Sequence, residues 1–271
     1  MRPARIRVIS SASNSLLKVF RRALAEGTTR QGWLGVEGPF LLDEALKAAP
    51  RAKLHSVLAS RSGAQKFPQL LERVPENTEI AQVADGVFQQ VAQTQTPQGV
   101  AALVELPACD LGPILARRDA LLLVACGIQD PGNLGSMMRS AQAFAGTALL
   151  TLKETVSPFN PKAVRASTGA VFRLPVVCDL EAQALIDRLC AASFRIVAAD
   201  RRSPSALAHA DLSGPLAILI GREASGLPAE IARRAHQFLS IPISPGMDSV
   251  NATTAASIFL YEAARQRGFN Y

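Results

Sequence analysis

The sequence predicts an α/β chain, with a parallel-sheet domain preceded by a smaller α/β domain. Two observations carry this. From residue 119 onward, short apolar runs alternate with amphipathic stretches, the pattern of strands joined by crossover helices. Before that, "VELPACDLGPILARRD" (104–119) gathers two prolines and a glycine between periodic segments, as a linker would. The expected division is a first domain over 1–107, a linker over 108–118 and a second domain over 119–271.

In the first domain, "SNSLLKVFRRALAEG" is an amphipathic helix. Leu16, Leu17, Phe20 and Leu24 share one face, and Lys18, Arg21 and Arg22 another. "GWLGVEG" reads as a short strand and "PFLLDEALKAA" as a helix with Pro39 in its first turn. "LHSVLAS" and "TPQGVAALVEL" read as strands. In the second domain "DALLLVACGI" is a buried strand. "GNLGSMMRSAQAFAG" is a helix closed by Gly146. "TALLTL" is a strand, "PKAVRASTGAVF" a helix, "RLPVVC" a strand and "EAQALIDRLCAA" a helix. "RIVAAD" and "LAILIG" are strands, "PAEIARRA" a short helix, "FLSIPI" the last strand and "SVNATTAASIFLYEAARQR" the closing helix. Ligands of such sheets bind beyond the carboxyl ends of the strands.

At 271 residues, with 48% hydrophobic and 19% charged residues, the chain can bury a sizeable core. The net charge of +7 suits a polyanionic partner, and the excess is divided almost evenly between the two halves. Aromatic residues make up 5%, too few for a stacking platform as the main RNA-binding device. Cys109, Cys126, Cys178 and Cys190 form no CxxC pair and read as reduced, buried thiols. His55, His209 and His236 are far apart, so no metal site is expected. The basic N-terminus lacks an apolar signal region, and no run is long enough for a membrane span. There is no GxGxxG after a strand, no GxxxxGK[ST] and no GxSxG. The absent glycine fingerprint argues against a nucleotide-dependent oxidoreductase.

Three stretches at predicted strand ends stand out. In "QDPGNLGSMMRSAQAFAG" (129–146), Asp130 or Asn133 is placed to cap a helix whose buried side is Leu134, Met137, Met138 and Ala141. Arg139 is its single cation: either an ordinary surface arginine or a group that positions a phosphate or ribose. In "LIGREASGLP" (219–228), a strand ends at Gly221, Glu223 follows, and Gly226 closes a turn. A plain strand-to-helix loop is the alternative. In "IPISPGMDSVNATTAAS" (241–257), a Pro-Gly loop leads to Ser249 and Asn251, either of which can cap the small-residue helix that follows.

Taken in order, these stretches resemble the three motifs of the SpoU/TrmH family of RNA ribose methyltransferases, within the SPOUT superfamily. "SPFNPKAVRASTGAVFRLPV" is similar to the family's second-helix region. "ISSASNSLLKVFRRAL", "VEGPFLLDEAL" and "TPQGVAALVEL" resemble the substrate-binding domain that often precedes the catalytic one. The resemblance implies a C-terminal deep trefoil knot and S-adenosylmethionine held largely by backbone. By motif position it implies a cofactor pocket lined by Gly221, Ile241 and Val250, with Ala199 on a neighbouring strand end. It further implies a homodimer through the knotted domain, and a ribosomal-protein-like first domain that docks structured RNA in the cytoplasm. Two positions depart from the commonest pattern: Arg222 stands where Asn is frequent, and Val250 where Leu is frequent.

The implied reaction is methyl transfer to a ribose 2′-hydroxyl, with ribosomal RNA favoured over tRNA. The alternative on the same scaffold is a non-catalytic RNA-binding assembly factor. Arg139 is assigned to the target ribose or its phosphate and to the developing alkoxide. A guanidinium in a protein stays protonated, so it is not assigned as the base. Asn133 fixes the presenting loop, and Glu223, Ser249 and Asn251 complete the polar wall.

Overall fold

The structure, a computed structural model, describes residues 6–222 and 226–269. The chain folds as two compact units: Met1–Ala108 with Phe159–Arg173, and Cys109–Pro158 with Leu174–Tyr271.

The first unit contains β1 (Ile6–Val8), α1 (Ser15–Glu26), β2 (Leu34–Glu37), α2 (Pro39–Lys47), β3 (Lys53–Ser60), α3 (Arg61–Lys66), α4 (Pro68–Glu72), β4 (Glu79–Val83), α5 (Asp85–Gln89) and β5 (Val100–Glu105). Its sheet has the order β1-β4-β3-β5-β2, parallel across β1, β4 and β3 and antiparallel at β5. Asn14 caps α1 by accepting from the Leu16 N–H at 2.9 Å, and Leu17, Phe20, Ala23 and Leu24 form its buried face as the periodicity requires. Glu37 is nearly buried at the end of β2. Its carboxylate accepts from the Gln93 N–H at 2.8 Å and from the Thr94 hydroxyl, which ties down the loop before β5.

The second unit contains α6 (Leu111–Leu115), β6 (Leu121–Ala125), α7 (Pro131–Ala143) and β7 (Ala148–Leu152). Helix α8 (Pro161–Ala166) belongs to the first unit. The second unit then resumes with β8 (Val176–Leu180), α9 (Ala182–Ala191), β9 (Arg195–Ala199), β10 (Leu216–Ile220), α10 (Ala229–Ala232), β11 (Gln237–Leu239) and α11 (Ala252–Gln266). Its sheet is parallel throughout, in the order β11-β9-β10-β6-β7-β8. Strands β6, β7 and β10 are buried along their whole length, because helices cover both faces. One face carries Leu122, Val124, Leu150 and Leu219 against Leu185, Ile186 and Leu189 of α9. On the other face α7 and α11 pack together, with α11 also against β10 and β6. From β6 the chain steps outward through β7 and β8, then returns to place β9 and β10 on the other side of β6.

Several expectations change. The stretch expected as a linker carries α6, whose Leu111 and Ile114 are buried in the core of the second unit. The expected helix over 161–172 stops at Ala166. Thr168 and Gly169 take left-handed backbone (φ +47° and +89°), and α8 before them packs on α1 and β2. Gly146 does not close α7 in left-handed form; Ala145 does, at φ +55°. Gly146 instead donates its N–H to the Ala141 carbonyl at 2.7 Å, where an added Cβ would lie 2.9 Å from that same oxygen. "FLSIPI" is a strand only to Leu239. Of the four free thiols, Cys126 is buried and burial pushes it up to about 12, whereas Cys190 is exposed. Strands β1 and β4 and helices α3 to α6 are not among the predicted elements. Among the described residues, no helix is long and apolar enough to cross a membrane.

Candidate active site

A cavity of about 370 Å³ lies at the carboxyl edge of the second unit's sheet. Ala199 and Asp200 border it at the end of β9, Ile220 and Gly221 at the end of β10, and Leu239 and Ile241 at the end of β11. Ser249 and Val250 close it from the segment entering α11, and Ala252 and Phe259 from α11 itself; Arg222 and Gly226 also border it from the loop after β10. The volume is in the usual range for a small-ligand site, and apolar side chains supply much of the wall.

Gly221 is required by the loop it begins. Arg222 and Gly226 exchange two backbone hydrogen bonds (N–H to O, 3.0 and 2.9 Å), folding the loop back on itself. A Cβ on Gly221 would lie 2.4 Å from the Gly226 carbonyl carbon and 2.6 Å from the Leu227 nitrogen, so only glycine fits. The loop after β11 is held by Arg201, whose guanidinium donates to the Asp248 carbonyl at 2.9 Å and faces its carboxylate at 3.5 Å. Among the described residues, no hydrogen bond engages the main chain of Gly221, Ile241 or Val250.

Beside the cavity, α7 and α11 meet at their N-terminal ends. Asp130 caps α7 by accepting from the Asn133 N–H at 2.8 Å. Asn251 caps α11 by accepting from the Thr253 and Thr254 N–H groups at 2.8 and 3.4 Å. Its amide donates to the Asn133 side-chain oxygen at 3.2 Å, and the Thr253 hydroxyl donates to the Asn133 carbonyl at 3.1 Å. Farther along the same two helices, Ser140 and Ser257 join through their hydroxyls at 2.7 Å.

Ala199, Gly221, Ile241 and Val250 therefore border one cavity, together with Ser249. Asn133 and Asn251 are brought into contact. Arg139 is exposed on α7 with no hydrogen-bond or ion-pair partner among the described residues, and it does not border the cavity. Glu223 lies outside the described residues. Sequence reasoning missed Asp200, Leu239 and Phe259. The signal for Asp200 was available, since an acid closing a parallel strand of such a sheet stands where ligand hydroxyls bind. No comparable signal marks Phe259, which the helix pattern presents only as core. Among the described residues, no group of three His, Cys, Asp or Glu side chains gathers to hold a metal.

These features define a doubly wound α/β protein with a cavity of small-ligand size beyond the carboxyl ends of β9, β10 and β11, lacking a dinucleotide glycine loop. The chain belongs to the SpoU rRNA methylase family, which residues 120–261 match; residues 36–108 match the domain described as RNA 2′-O ribose methyltransferase substrate binding. The 23S rRNA (uridine(2479)-2′-O)-methyltransferase of Streptomyces viridochromogenes is 32% identical over 207 residues, 74% of this chain and 72% of the relative. The 23S rRNA (guanosine(2553)-2′-O)-methyltransferase RlmP of Bacillus subtilis is 28% identical over 254 residues, 93% and 97% of the two chains. Among solved structures, the SpoU methyltransferase AviRb of Streptomyces viridochromogenes in complex with the cofactor AdoMet superposes with a TM-score of 0.82. Its identity is 28%, over 94% of this chain and 98% of that one.

Proposed function

We propose that this chain is an S-adenosylmethionine-dependent methyltransferase acting on a ribose 2′-hydroxyl of ribosomal RNA. The observation that carries this reading is the cavity bordered by Ala199, Gly221, Ile241 and Val250, in a chain of this family. The lining fits the donor. Ile220, Leu239, Ile241 and Val250 offer apolar walls for a base, and the main chain of Gly221, Ile241 and Val250 is open to a ligand. Asp200 offers a carboxylate for ribose hydroxyls; its Oδ1 accepts from the Arg202 N–H at 2.9 Å.

When bound, the donor supplies a methyl group already activated by its sulfonium. The chain's task is alignment, which in favourable cases supplies about 7–11 kcal/mol of the barrier. The Asn133–Asn251 contact locks the start of α7 to the start of α11, so the helix carrying Arg139 is fixed against the segment carrying Ser249 and Val250. Arg139 stabilises the developing alkoxide and the neighbouring phosphate. Glu223, Ser249 and Asn251 complete the polar surroundings of the hydroxyl.

Arg139 has no partner among the described residues of its own chain and is not on the wall of its own cavity, which favours a homodimer in which it serves the partner's site. We read α11 as threaded through the loop between β9 and β10, in a trefoil knot. Gln266 and Arg267 at its end bind that loop, the Gln266 amide donating to the Ala210 carbonyl at 2.9 Å and Arg267 Nη2 to the Leu212 carbonyl at 3.2 Å. The first unit is read as a ribosomal-protein-like RNA-docking domain, and ribosomal RNA as substrate puts the reaction in the cytoplasm.

The test is methyl transfer from labelled S-adenosylmethionine to unmodified ribosomal RNA, followed by mapping of 2′-O-methyl positions. One methylated ribose is expected. Tight RNA binding with no transfer would leave the non-catalytic assembly factor, and transfer to tRNA alone would replace the substrate.

A further inference from the structure

We propose that Arg222 is a positioning residue, a strut that fixes the loop after β10 to the loops after β6 and β7 and so sets the donor cavity in register with the start of α7. The proposal rests on the methyltransferase reading above.

The geometry is specific. In the sheet β10, β6 and β7 are neighbours, so their carboxyl ends are separated by two interstrand spacings, ~10 Å in all. The Arg222 side chain bridges these ends. Its backbone closes the hairpin with Gly226. Its Nε donates to the Gly127 carbonyl at 3.1 Å, in the loop after β6. Its Nη2 meets the Glu154 carboxylate at 2.5 Å, in the loop after β7.

The receiving loops are built to hold it. Gly127 has φ +76°, and a Cβ there would lie 2.6 Å from Arg222 Nε, so the glycine leaves the path open. Glu154 has φ +67°, an uncommon conformation for a residue with a side chain. The two loops are also bound to each other. The Gly127 N–H donates to the Thr155 hydroxyl at 3.0 Å, that hydroxyl donates to the Ala125 carbonyl at 3.0 Å, and the Val156 N–H donates to the Ile128 carbonyl at 2.8 Å. Gln129 donates to the Gly127 carbonyl at 3.3 Å and to the Glu154 carbonyl. Arg222 adds the third loop to this pair, and that loop begins at Gly221 on the cavity wall.

The chemistry explains why arginine stands here. A guanidinium donates in two directions from a planar fork, one to a carbonyl and one to a carboxylate, whereas an ammonium on a flexible stem does not hold both in one geometry. The pair is solvent-exposed, with Glu154 at 74% and Arg222 at 42% side-chain exposure. Exposed ion pairs add little stability. The residue therefore matters for register more than for folding, and the two are separable by experiment.

The test compares wild type with Arg222→Ala, Arg222→Lys, Glu154→Ala and the Arg222→Ala/Glu154→Ala double variant. Single-turnover transfer to ribosomal RNA, donor affinity by calorimetry and the melting temperature are measured for each. Misalignment on this scale costs about 10- to 100-fold in the transfer rate. Arg222→Ala is expected to show that loss with an almost unchanged melting temperature; because Arg222 also borders the cavity, Glu154→Ala, which breaks the strut from outside the cavity, is the variant expected to slow transfer with donor affinity within about threefold. Arg222→Lys should recover little, and the double variant should be no slower than Arg222→Ala, because both substitutions break one strut. Two results overturn the proposal: an Arg222→Ala enzyme with a wild-type transfer rate, or one whose defect is confined to RNA affinity with a reduced salt slope while Glu154→Ala is silent, which would make Arg222 a phosphate contact. Wild-type protein that transfers no methyl group to any RNA would instead defeat the functional reading itself.

Discussion

Arg139→Ala is expected to lower the rate of methyl transfer by at least about 100-fold, the usual scale for removing a charged group that stabilises developing negative charge. Donor affinity should stay within about twofold, because the loss belongs to the transition state and not to donor binding. The structural grounds are that Arg139 is exposed, contributes nothing to the buried face of α7, and holds no partner among the described residues. Its removal therefore leaves the fold alone: the helix is anchored by Leu134, Met137, Met138 and Ala141, all buried. The same variant tests whether Arg139 serves its own cavity or the partner's. If it acts across a homodimer, mixing Arg139→Ala chains with chains defective in the cavity should restore about a quarter of wild-type activity, one working site in half of the randomly paired dimers. If it acts in its own chain, mixing restores nothing. A fully active Arg139→Ala enzyme would remove the residue from the chemistry.

Gly221→Val should raise the donor dissociation constant by at least about tenfold, corresponding to ~1.4 kcal/mol. The clash is with main chain, since the new Cβ would fall 2.4 Å from the Gly226 carbonyl carbon. A flexible side chain could turn aside, but a hairpin closed by two backbone hydrogen bonds must open or shift. Overpacking of this kind typically costs about 1–3 kcal/mol, and here the displaced loop is the cavity wall. Calorimetry on folded protein measures the effect, with circular dichroism melting to separate it from unfolding. Unchanged affinity would place the donor elsewhere.

Much of this was legible in the sequence because the signals were local. The apolar runs at 121–125 and 216–220, and the run at 148–152 broken only by Thr151, are what doubly covered parallel strands require, and all three are buried strands. By motif position the resemblance put forward Gly221, Ile241 and Val250, with Ala199 on a neighbouring strand end, and the four border one cavity. What could not be read was set by tertiary context. Nothing local distinguishes Phe259 as a cavity wall from Phe259 as core. The break at Thr168 and Gly169, where Gly169 takes left-handed backbone close against Glu44 of α2, leaves no mark on the helical pattern of "PKAVRASTGAVF". The role of Arg222 was equally hidden: a departure from a common motif residue is intelligible only once Gly127 and Glu154, far away in sequence, are found beneath its guanidinium.

The most direct measurement is a crystal structure with S-adenosylhomocysteine, the demethylated donor. The adenosyl group should lie in the cavity beyond β9, β10 and β11, in contact with Gly221, Ile241 and Val250 and with its ribose facing Asp200. The nucleoside bound at any other place, with this cavity left empty at saturating concentration, would contradict the assignment.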